Sequence, residues 1–236
     1  MTVPGAKNSV LKLMAACLMA DGDFTITNVP DIDDVTTMAE LLGAIGLRIH
    51  HDRDASRLAI TNPGGLSLVA PYELVERIRA SINVLGPLLG RFGEVRIALP
   101  GGDDFGSRPI DMHLQGLMQM GAEFTIRRDV IEARAERLRG ASISLEFPSV
   151  GATENIVTAA VHAKGITVID NAAREPEISD LCDFLVGMGA NVSGIGTSTL
   201  TIEGVEPGSL RPTTHATVPD RIQAATYLAA VGVCQG

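Results

Sequence analysis

Apolar and polar positions follow the same order three times along the chain, over residues 22–46, 93–121 and 165–189. Each segment opens with a short alternating strand and passes through a polar loop that contains proline. It then enters an amphipathic helix, with apolar residues three and four positions apart, that ends at glycine. The segments start 71 and 72 residues apart, so the pattern predicts three copies of one structural unit.

A further helix is predicted before each segment, over residues 9–19, 80–89 and 154–163, and a pair of strands after it, as in 190–193 and 200–203. These helices are apolar on most faces, and residues 11–18 include one charge, Lys12. A period of about 70 residues is too long for a solenoid. We therefore expect an inside-out α/β domain of three pseudo-symmetric repeats, with the helices buried and the sheets outside.

Two irregularities interrupt the repeat. The middle copy is four residues longer, and the excess lies in the loop PGGDDFGSRP, residues 100–109. Three glycines beside paired aspartates and an arginine indicate a mobile functional loop, although a surface turn has the same composition. Residues 219–236 resemble the first helix of a fourth copy. We expect residues 1–218 to form one domain and 219–236 to be the truncated start of a second, in a fragment of a longer protein.

Composition excludes several classes of function. Hydrophobic residues make up 45% of the 236 positions, with no Trp, two Tyr and six Phe, so the core is aliphatic and base stacking on aromatic side chains is disfavoured. The net charge of −9 repels nucleic acids and anionic membranes. No apolar run reaches the ~18 residues of a membrane span, and the N-terminus has no secretory signal. We expect a cytoplasmic protein.

The three cysteines give no sign of a metal site. Cys17, Cys182 and Cys234 stand in apolar stretches without a CxxC pair or histidines at ligand spacing. We expect reduced thiols in the core and no bound metal.

Six motifs carry a resemblance to a known family: GAKNSVLKLMAA, RASINVLGPLLGRFG, LPGGDDFGSRPIDMHLQGLMQMGA, PSVGATENI, DNAAREPEISDL and PDRIQAAT. In this order and spacing, the chain resembles the enolpyruvyl transferases that act on UDP-N-acetylglucosamine, above all their actinobacterial members. Those enzymes have two similar domains of three repeats each. The resemblance implies that this chain is one domain plus the start of the return into a missing second domain.

The resemblance also implies a reaction. The enolpyruvyl group of phosphoenolpyruvate passes to the 3-hydroxyl of UDP-N-acetylglucosamine and phosphate is released, the first committed step of peptidoglycan synthesis. This chemistry needs an acid and a base near C3 of phosphoenolpyruvate, and fixed cations around its phosphate and carboxylate. It implies no cofactor.

Residues of the six motifs match positions that bind substrate in the family. Lys7 and Asn8 match a pair beside phosphoenolpyruvate, and Arg79 and Arg108 match arginines that hold the anionic substrates. Contacts to the UDP-sugar fall on Arg108, Pro109, Ile110, Asp111, Met112, Ser149, Val150 and Gly151. Glu175, which follows Arg174, matches a residue near the sugar ring, and Asp220 and Arg221 match a motif at the domain junction.

The residue types alone leave alternatives open for several of these positions. Lys7 is also typical of a solvated helix end, the arginines of an exposed surface, and Glu175 of an acidic capping turn. His113 has the chemistry of a general base but equally that of a structural hydrogen-bonding residue at a helix start.

Asp103 stands where many relatives carry the cysteine that donates the proton and that the epoxide antibiotic fosfomycin alkylates. An aspartate with its ordinary pKa of about 3.9 is ionised at neutral pH, so burial or a neighbouring negative charge must raise the pKa before it can act as an acid. Asp104 and the substrate phosphate act in that direction. We assign the acid role to Asp103 and treat Asp104 as a turn residue.

Two other functions remain open at this point. Because a base and further arginines belong to the second domain in the family, the alternative is an inactive fragment that retains part of the UDP-sugar surface. The related repeat architecture of RNA 3'-phosphate cyclases is disfavoured by the acidic balance and by the few aromatic residues.

Overall fold

The computed structural model describes residues 2–102 and 109–234, so Asp103, Asp104 and Arg108 lie outside the described residues. The helices within these ranges are α1 (Lys7–Ala16), α2 (Asp33–Ile45), α3 (Tyr72–Val75), α4 (Leu85–Phe92), α5 (Asp111–Gln119), α6 (Val150–Ala160), α7 (Pro176–Gly187) and α8 (Arg221–Cys234), with 3₁₀ segments at Cys17–Met19 and Arg79–Val84. The strands are β1 (Gly22–Thr27), β2 (Arg48–Asp52), β3 (Arg57–Asn62), β4 (Glu94–Ala98), β5 (Glu123–Arg127), β6 (Val130–Arg134), β7 (Ser142–Ser144), β8 (Ile166–Asp170), β9 (Asn191–Ser193), β10 (Thr199–Glu203) and β11 (Thr214–Ala216).

The threefold repeat predicted from the sequence is confirmed in the order of the elements. Each copy has an inner helix (α1, α4 or α6), a strand (β1, β4 or β8), a second helix (α2, α5 or α7) and a hairpin. In each sheet the first strand pairs antiparallel with the last strand of its own hairpin. The equivalent buried pairs are Ile26–Leu58, Ile97–Ile131 and Ile169–Leu200.

The segment that follows each hairpin completes the sheet of the next repeat. β7 runs parallel to β8, and residues 68–70 pair with Arg96 of β4 in the same sense. After the third hairpin, β11 returns and pairs in parallel with β1. The three sheets are thereby linked in a closed ring.

The inner helices form the centre of the domain, as expected for an inside-out α/β fold. Leu13 and Met14 of α1, Leu88 and Leu89 of α4, and Ile156 of α6 are all fully buried. The sheets lie outside them, with alternate residues exposed along β1, β4 and β8. Burial of aliphatic side chains between helices therefore holds the repeats together.

The inner helix of the second repeat differs from the continuous helix expected over residues 80–89. A 3₁₀ segment, Arg79–Val84, precedes α4, which begins at Leu85. Pro87 has no N–H to donate to the carbonyl of Asn83, so one uninterrupted α-helix would lose that hydrogen bond. The break lets Gly86 donate its backbone N–H to Oδ1 of Asn155 at 2.8 Å instead.

Two glycines allow α4 to cross α6 at short range. A Cβ on Gly86 would lie 2.4 Å from the carbonyl oxygen of Asn155, and a Cβ on Gly90 would lie 2.9 Å from Cα of Ala159. Real side chains are excluded at such distances. This crossing places the N-terminal turn of α6 beside the start of the second repeat.

Asp180 of α7 connects α1 to the returning strand. Its carboxylate accepts hydrogen bonds from the Ser9 hydroxyl and from the backbone N–H of Val218, and it lies 2.7 Å from Nε2 of His215. Ser9 follows Lys7 and Asn8, so this buried contact fixes the start of α1 relative to the third repeat.

The last helix, α8, begins beyond a short paired segment. Ala6 N–H donates to the Val218 carbonyl at 2.7 Å, and Asp220 N–H to that of Pro4 at 2.9 Å. Within the part of the chain that the structure describes, no residue of α8 is buried, and Val233 is 83% exposed.

Candidate functional site

A cavity of about 690 Å³ lies where the ends of several elements meet. It is bordered by the first turns of α1, α6 and α7 and by the start of the 3₁₀ segment. Gly102 and Pro109, which flank the undescribed part of the second-repeat loop, also line it. The sequence-predicted site residues that line this cavity are Lys7, Asn8, Arg79, Pro109, Met112, Ser149, Val150, Gly151, Glu175 and Arg221.

Three predicted residues lie near the cavity without lining it. Ile110 is buried just before α5, Asp111 is the exposed first residue of that helix, and Asp220 precedes α8. Asp220 instead accepts hydrogen bonds from the backbone N–H groups of Ile222 and Gln223, both at 2.9 Å, as a helix-capping carboxylate does. Its other oxygen lies 3.3 Å from the Lys7 amide nitrogen.

Lys7 and Arg79 are two of the cations that line the cavity. The Lys7 ammonium group pairs with Asp34 at 2.8 Å and is about half exposed. Arg79 extends a guanidinium nitrogen to 3.4 Å from the Pro100 carbonyl, at the entry to the second-repeat loop. A flexible ammonium and a planar guanidinium at a cavity rim are typical of sites that bind oxyanions.

The N-terminus of α6 forms another wall. Ser149 caps it, with its hydroxyl oxygen accepting from Ala152 N–H at 3.3 Å. Val150 and Gly151 begin the helix beside the cavity. Backbone N–H groups at a helix start carry partial positive charge and suit an anionic or hydrogen-bond-accepting ligand.

His113 is held by a buried amide network. Asn155 Oδ1 accepts from Gly86 N–H, so Asn155 Nδ2 is the atom that faces Nδ1 of His113, at 3.0 Å. Burial, and secondarily the charge of Arg79, lowers the pKa of His113 to about 4. Neutral His113 therefore accepts this hydrogen bond through Nδ1, and the geometry favours the structural interpretation over a general base.

Two ion pairs in the cavity wall, each with a buried glutamate, were not predicted from the sequence. Glu177 pairs with Arg221, whose Nε lies 3.1 Å from both carboxylate oxygens. Glu154 lies 3.6 Å from the ammonium nitrogen of Lys12. Burial raises the pKa of Glu154 to about 7, and the positive charge of Lys12 opposes that rise. One feature of the sequence pointed to the second pair: Lys12 is the single charged residue within an apolar helix.

Another groove, of about 910 Å³, lies elsewhere on the surface. Its walls include Arg134, Arg137, Arg139 and Lys164, and it contains none of the sequence-predicted site residues. Arg134 pairs with Glu94 and Arg137 with Glu206, both at 3.3 Å. Most of its charge is thus exposed and partly neutralised, and the cavity at the helix starts is the better candidate site.

Residues 2–102 and 109–234 contain no cluster of three His, Cys, Asp or Glu side chains that could hold a metal ion. Cys17 and Cys182 are buried, and Cys234 is exposed. None of the described helices is both long and apolar enough to cross a membrane.

Comparison with known proteins adds sequence relatives. Residues 1–236 match the family described as EPSP synthase (3-phosphoshikimate 1-carboxyvinyltransferase). The chain is 55% identical to UDP-N-acetylglucosamine 1-carboxyvinyltransferase from Mycobacterium bovis and 56% identical to the protein of that name from Nocardia farcinica. Each alignment covers 99% of this chain and 55% of the relative. The chain therefore spans about half the length of the curated relatives it matches.

Two solved structures share the fold. The enolpyruvyl transferase NikO from Streptomyces tendae superposes with a TM-score of 0.86 at 24% identity, over 98% of this chain and 54% of that one. An EPSP synthase from Acinetobacter baumannii gives a TM-score of 0.74 at 20% identity, over 97% of this chain and 51% of that one. At these identities the likeness concerns architecture alone.

Proposed function

The chain belongs to the EPSP synthase family of carboxyvinyltransferases, and we propose that it forms the UDP-sugar-binding and proton-donating part of a UDP-N-acetylglucosamine 1-carboxyvinyltransferase. The observation that carries this proposal is that Lys7, Arg79, Ser149 and Glu175, from four separate motifs, line one cavity. Relatives of that name at 55–56% identity support the choice of substrate.

The charges of the cavity suit the two substrates of that reaction. Lys7, Arg79 and Arg108 would bind the phosphate and carboxylate of phosphoenolpyruvate, because fixed cations stabilise negative charge that develops as phosphate leaves. Ser149, Val150 and Gly151 would bind the UDP-sugar through the exposed N–H groups of α6, together with residues 109–112. Asn8 would donate hydrogen bonds beside phosphoenolpyruvate, and Glu175 would face the sugar ring.

The reaction proceeds by addition and elimination. Asp103 would give a proton to C3 of phosphoenolpyruvate, and the sugar 3-hydroxyl would lose its proton to a base as its oxygen bonds to C2. The resulting ketal would break its bond between C2 and the phosphate oxygen while C3 gives up a proton. The products are the enolpyruvyl ether and inorganic phosphate, and each residue named acts by binding, positioning or moving one proton.

We also propose the domain division and cellular location expected from the sequence. The return of β11 to β1 supports a domain that extends to residue 218, and the exposure of α8 supports a separate element from 219 onward. Asp220 and Arg221 would then lie at the junction with a second domain, which would be the partner of this chain. The cellular location that we propose is the cytoplasm.

A binding and turnover experiment on the purified chain tests the function. UDP-N-acetylglucosamine is titrated by calorimetry, with shikimate 3-phosphate as the matched ligand of the other carboxyvinyltransferase reaction. Phosphate release from phosphoenolpyruvate is then measured with and without each ligand. We expect UDP-N-acetylglucosamine to bind and shikimate 3-phosphate not to bind; the reverse preference would contradict the proposed substrate.

Variants distinguish the cavity from the rest of the surface. Arg79→Met should weaken binding or turnover, whereas Lys164→Met, which removes a cation from the other groove, should change neither. Sugar binding without sugar-dependent phosphate release would favour the alternative, a fragment that binds part of the UDP-sugar and lacks activity.

A further inference from the structure

Lys12 and Glu154 form a buried ion pair in the floor of the cavity. Lys12 lies one turn beyond Asn8 on α1, and its side chain is 11% exposed. Glu154 lies on α6, and its side chain is 2% exposed. Both residues line the cavity.

The hydrogen-bonding capacity of this pair is not filled by the protein. At 3.6 Å, the contact between Lys12 Nζ and Glu154 Oε1 is an ion pair longer than a hydrogen bond. Glu154 Oε1 has no hydrogen-bond partner among the described residues. The ammonium group has three N–H donors, and its partner among residues 2–102 and 109–234 is the single carboxylate of Glu154 at 3.6 Å. Unfilled donors at the floor of a cavity indicate a site for an oxygen of a bound ligand.

A contribution to the stability of the folded chain does not explain why this buried ion pair is present. Removing two charges from water costs several kcal/mol per ion in general, and replacing a buried ion pair by apolar side chains is often neutral or stabilising. A ligand-binding role explains a lysine at this position in an otherwise apolar helix.

The charge of the surrounding wall identifies the kind of ligand oxygen. Lys12 pairs with Glu154 and Arg221 pairs with Glu177, and the carboxyl group of Glu175 lines the same cavity. An anion would be repelled by this excess of carboxylates, whereas a hydroxyl or amide carbonyl oxygen would not. The other cations Lys7 and Arg79 also line the cavity, where Lys7 pairs with Asp34 and Arg79 lies near the Pro100 carbonyl, and we assign the phosphate groups to them.

We propose that Lys12 is a further sugar-binding residue of this chain, which donates a hydrogen bond to a neutral oxygen of the amino sugar, and that Glu154 is its positioning residue. The inference rests on the proposed function, because it takes the ligand to be a UDP-linked amino sugar. Glu154 acts through Lys12, holding the ammonium group at the floor by charge attraction across 3.6 Å.

The test compares UDP-N-acetylglucosamine with UDP, which lacks the sugar, by calorimetric titration of the chain and its variants. Lys12→Met should raise the Kd of UDP-N-acetylglucosamine about tenfold, the usual loss for one hydrogen bond to a charged group, and leave the Kd of UDP unchanged. Glu154→Leu should match Lys12→Met. Glu154→Gln should lie between these and the unaltered chain, since its amide oxygen still attracts the ammonium group.

A matched control uses an ion pair of the same length outside the cavity. Glu132 lies 3.6 Å from Arg96 on the exposed face of the second sheet, so Glu132→Gln should leave both Kd values unchanged. The double variant Lys12→Met/Glu154→Leu removes the buried charges together and should keep or raise the Tm while losing the sugar contribution. If the ion pair had only a structural role, the double variant would show the opposite result. Its Tm would fall, and the ratio of the Kd of UDP to the Kd of UDP-N-acetylglucosamine would not change.

The outcomes separate this inference from the proposed function. If the unaltered chain binds UDP-N-acetylglucosamine no better than shikimate 3-phosphate, the proposed function fails and this inference with it. If the unaltered chain binds the UDP-sugar and Lys12→Met binds it equally well, only this inference fails. Equal weakening of UDP and UDP-N-acetylglucosamine by Lys12→Met would place the ammonium group at the diphosphate and would also overturn it.

Discussion

Nδ1 of His113 lies 3.0 Å from Nδ2 of Asn155, and this contact joins α5 to α6 at the wall of the cavity. The Asn155 amide cannot turn around, because its oxygen already accepts from Gly86 N–H. His113 is consequently an acceptor, and burial, with the nearby charge of Arg79, keeps it neutral at pH 7. The helix starts that border the cavity are thus held by a hydrogen-bond network that extends into the core.

We predict that His113→Asn is tolerated better than His113→Leu. Asparagine offers an oxygen near the position of Nδ1, whereas leucine removes the shortest contact of the buried Asn155 Nδ2 and leaves only Asn83 Oδ1 at 3.4 Å and the Gly151 carbonyl at 3.5 Å. That loss costs about 1–3 kcal/mol. Urea unfolding followed by circular dichroism measures both. Exposed His50→Leu is the control and should change the free energy of unfolding by less than about 0.5 kcal/mol. Equal losses for the two His113 variants would show that the hydrogen bond does not matter.

Replacement of two helical glycines by alanine should change the stability of the chain in opposite directions. Gly86→Ala places a Cβ 2.4 Å from the Asn155 carbonyl, and backbone cannot yield there without separating α4 from α6. Gly43 in α2 has no heavy atom within 4 Å of such a Cβ. We expect Gly86→Ala to destabilise the chain by at least ~1–3 kcal/mol and Gly43→Ala to stabilise it by about 0.5–1 kcal/mol.

Thermal and urea unfolding of both variants check this prediction. A destabilised Gly43→Ala would mean that α2 packs against something at that face. A neutral Gly86→Ala would mean that the crossing of α4 and α6 is looser than the distances require.

Buried His162 should make the chain less stable in acid. Burial, and then the charges of Arg91 and Arg137, lowers the pKa of His162 from its ordinary 6.5 to about 4. Between these values the unfolded chain binds more protons, so the stabilising contribution is complete above pH 6.5 and is lost as the pH falls towards 4. At about 1.4 kcal/mol per pKa unit, the loss is roughly 3 kcal/mol.

Glu154 acts in the opposite direction, since its pKa is raised to about 7. Its contribution is complete below about pH 4.5 and is lost as the pH rises towards 7. The difference between the unaltered chain and His162→Leu therefore isolates the histidine. Urea unfolding at several pH values should give a flatter profile below pH 6.5 for His162→Leu than for the unaltered chain. Parallel profiles for the two would contradict the lowered pKa.

The repeat, the inside-out α/β class and the sheet pattern could be predicted because they rest on local spacing. The glycines that open each copy, Gly22, Gly93 and Gly165, all have positive φ, where glycine is favoured on steric grounds. Their nearly equal spacing, 71 and 72 residues, was therefore a direct sign of equivalent turns. The break before α4 agrees with the position of Pro87, because its missing N–H would leave the Asn83 carbonyl without its partner in a continuous helix.

The contacts across the cavity could not be predicted in the same way. Lys12 was visible as a lone charge, but its partner Glu154 is 142 positions away. Which of the many carboxylates it meets depends on where the fold places α1 and α6. The structural role of Asn155 likewise depends on its hydrogen bonds with Gly86 and His113, which belong to another repeat. Sequence motifs marked these residues as a group, whereas three-dimensional packing determines their partners.

The last prediction concerns Asp103, which lies outside the described residues but follows Gly102 at the cavity wall. A thiolate is the nucleophile that opens the epoxide of fosfomycin, and a carboxylate attacks more weakly. The chain's own buried thiols should be inert, because burial raises the pKa of Cys182 to about 12 and that of Cys17 further. Exposed Cys234 is removed as Cys234→Ser.

In that background, Asp103→Cys should form a covalent fosfomycin adduct, detected by intact mass, and UDP-N-acetylglucosamine should accelerate its formation if the sugar nucleotide binds beside the loop. Asp104→Cys is the matched control, and we expect it to react much more slowly because that residue is assigned to the turn. The Cys234→Ser chain without a new thiol should form no adduct. Faster labelling of Asp104→Cys than of Asp103→Cys would assign the proton donor to the neighbouring carboxylate, and an adduct at Asp103 itself would show that the carboxylate is already an activated nucleophile.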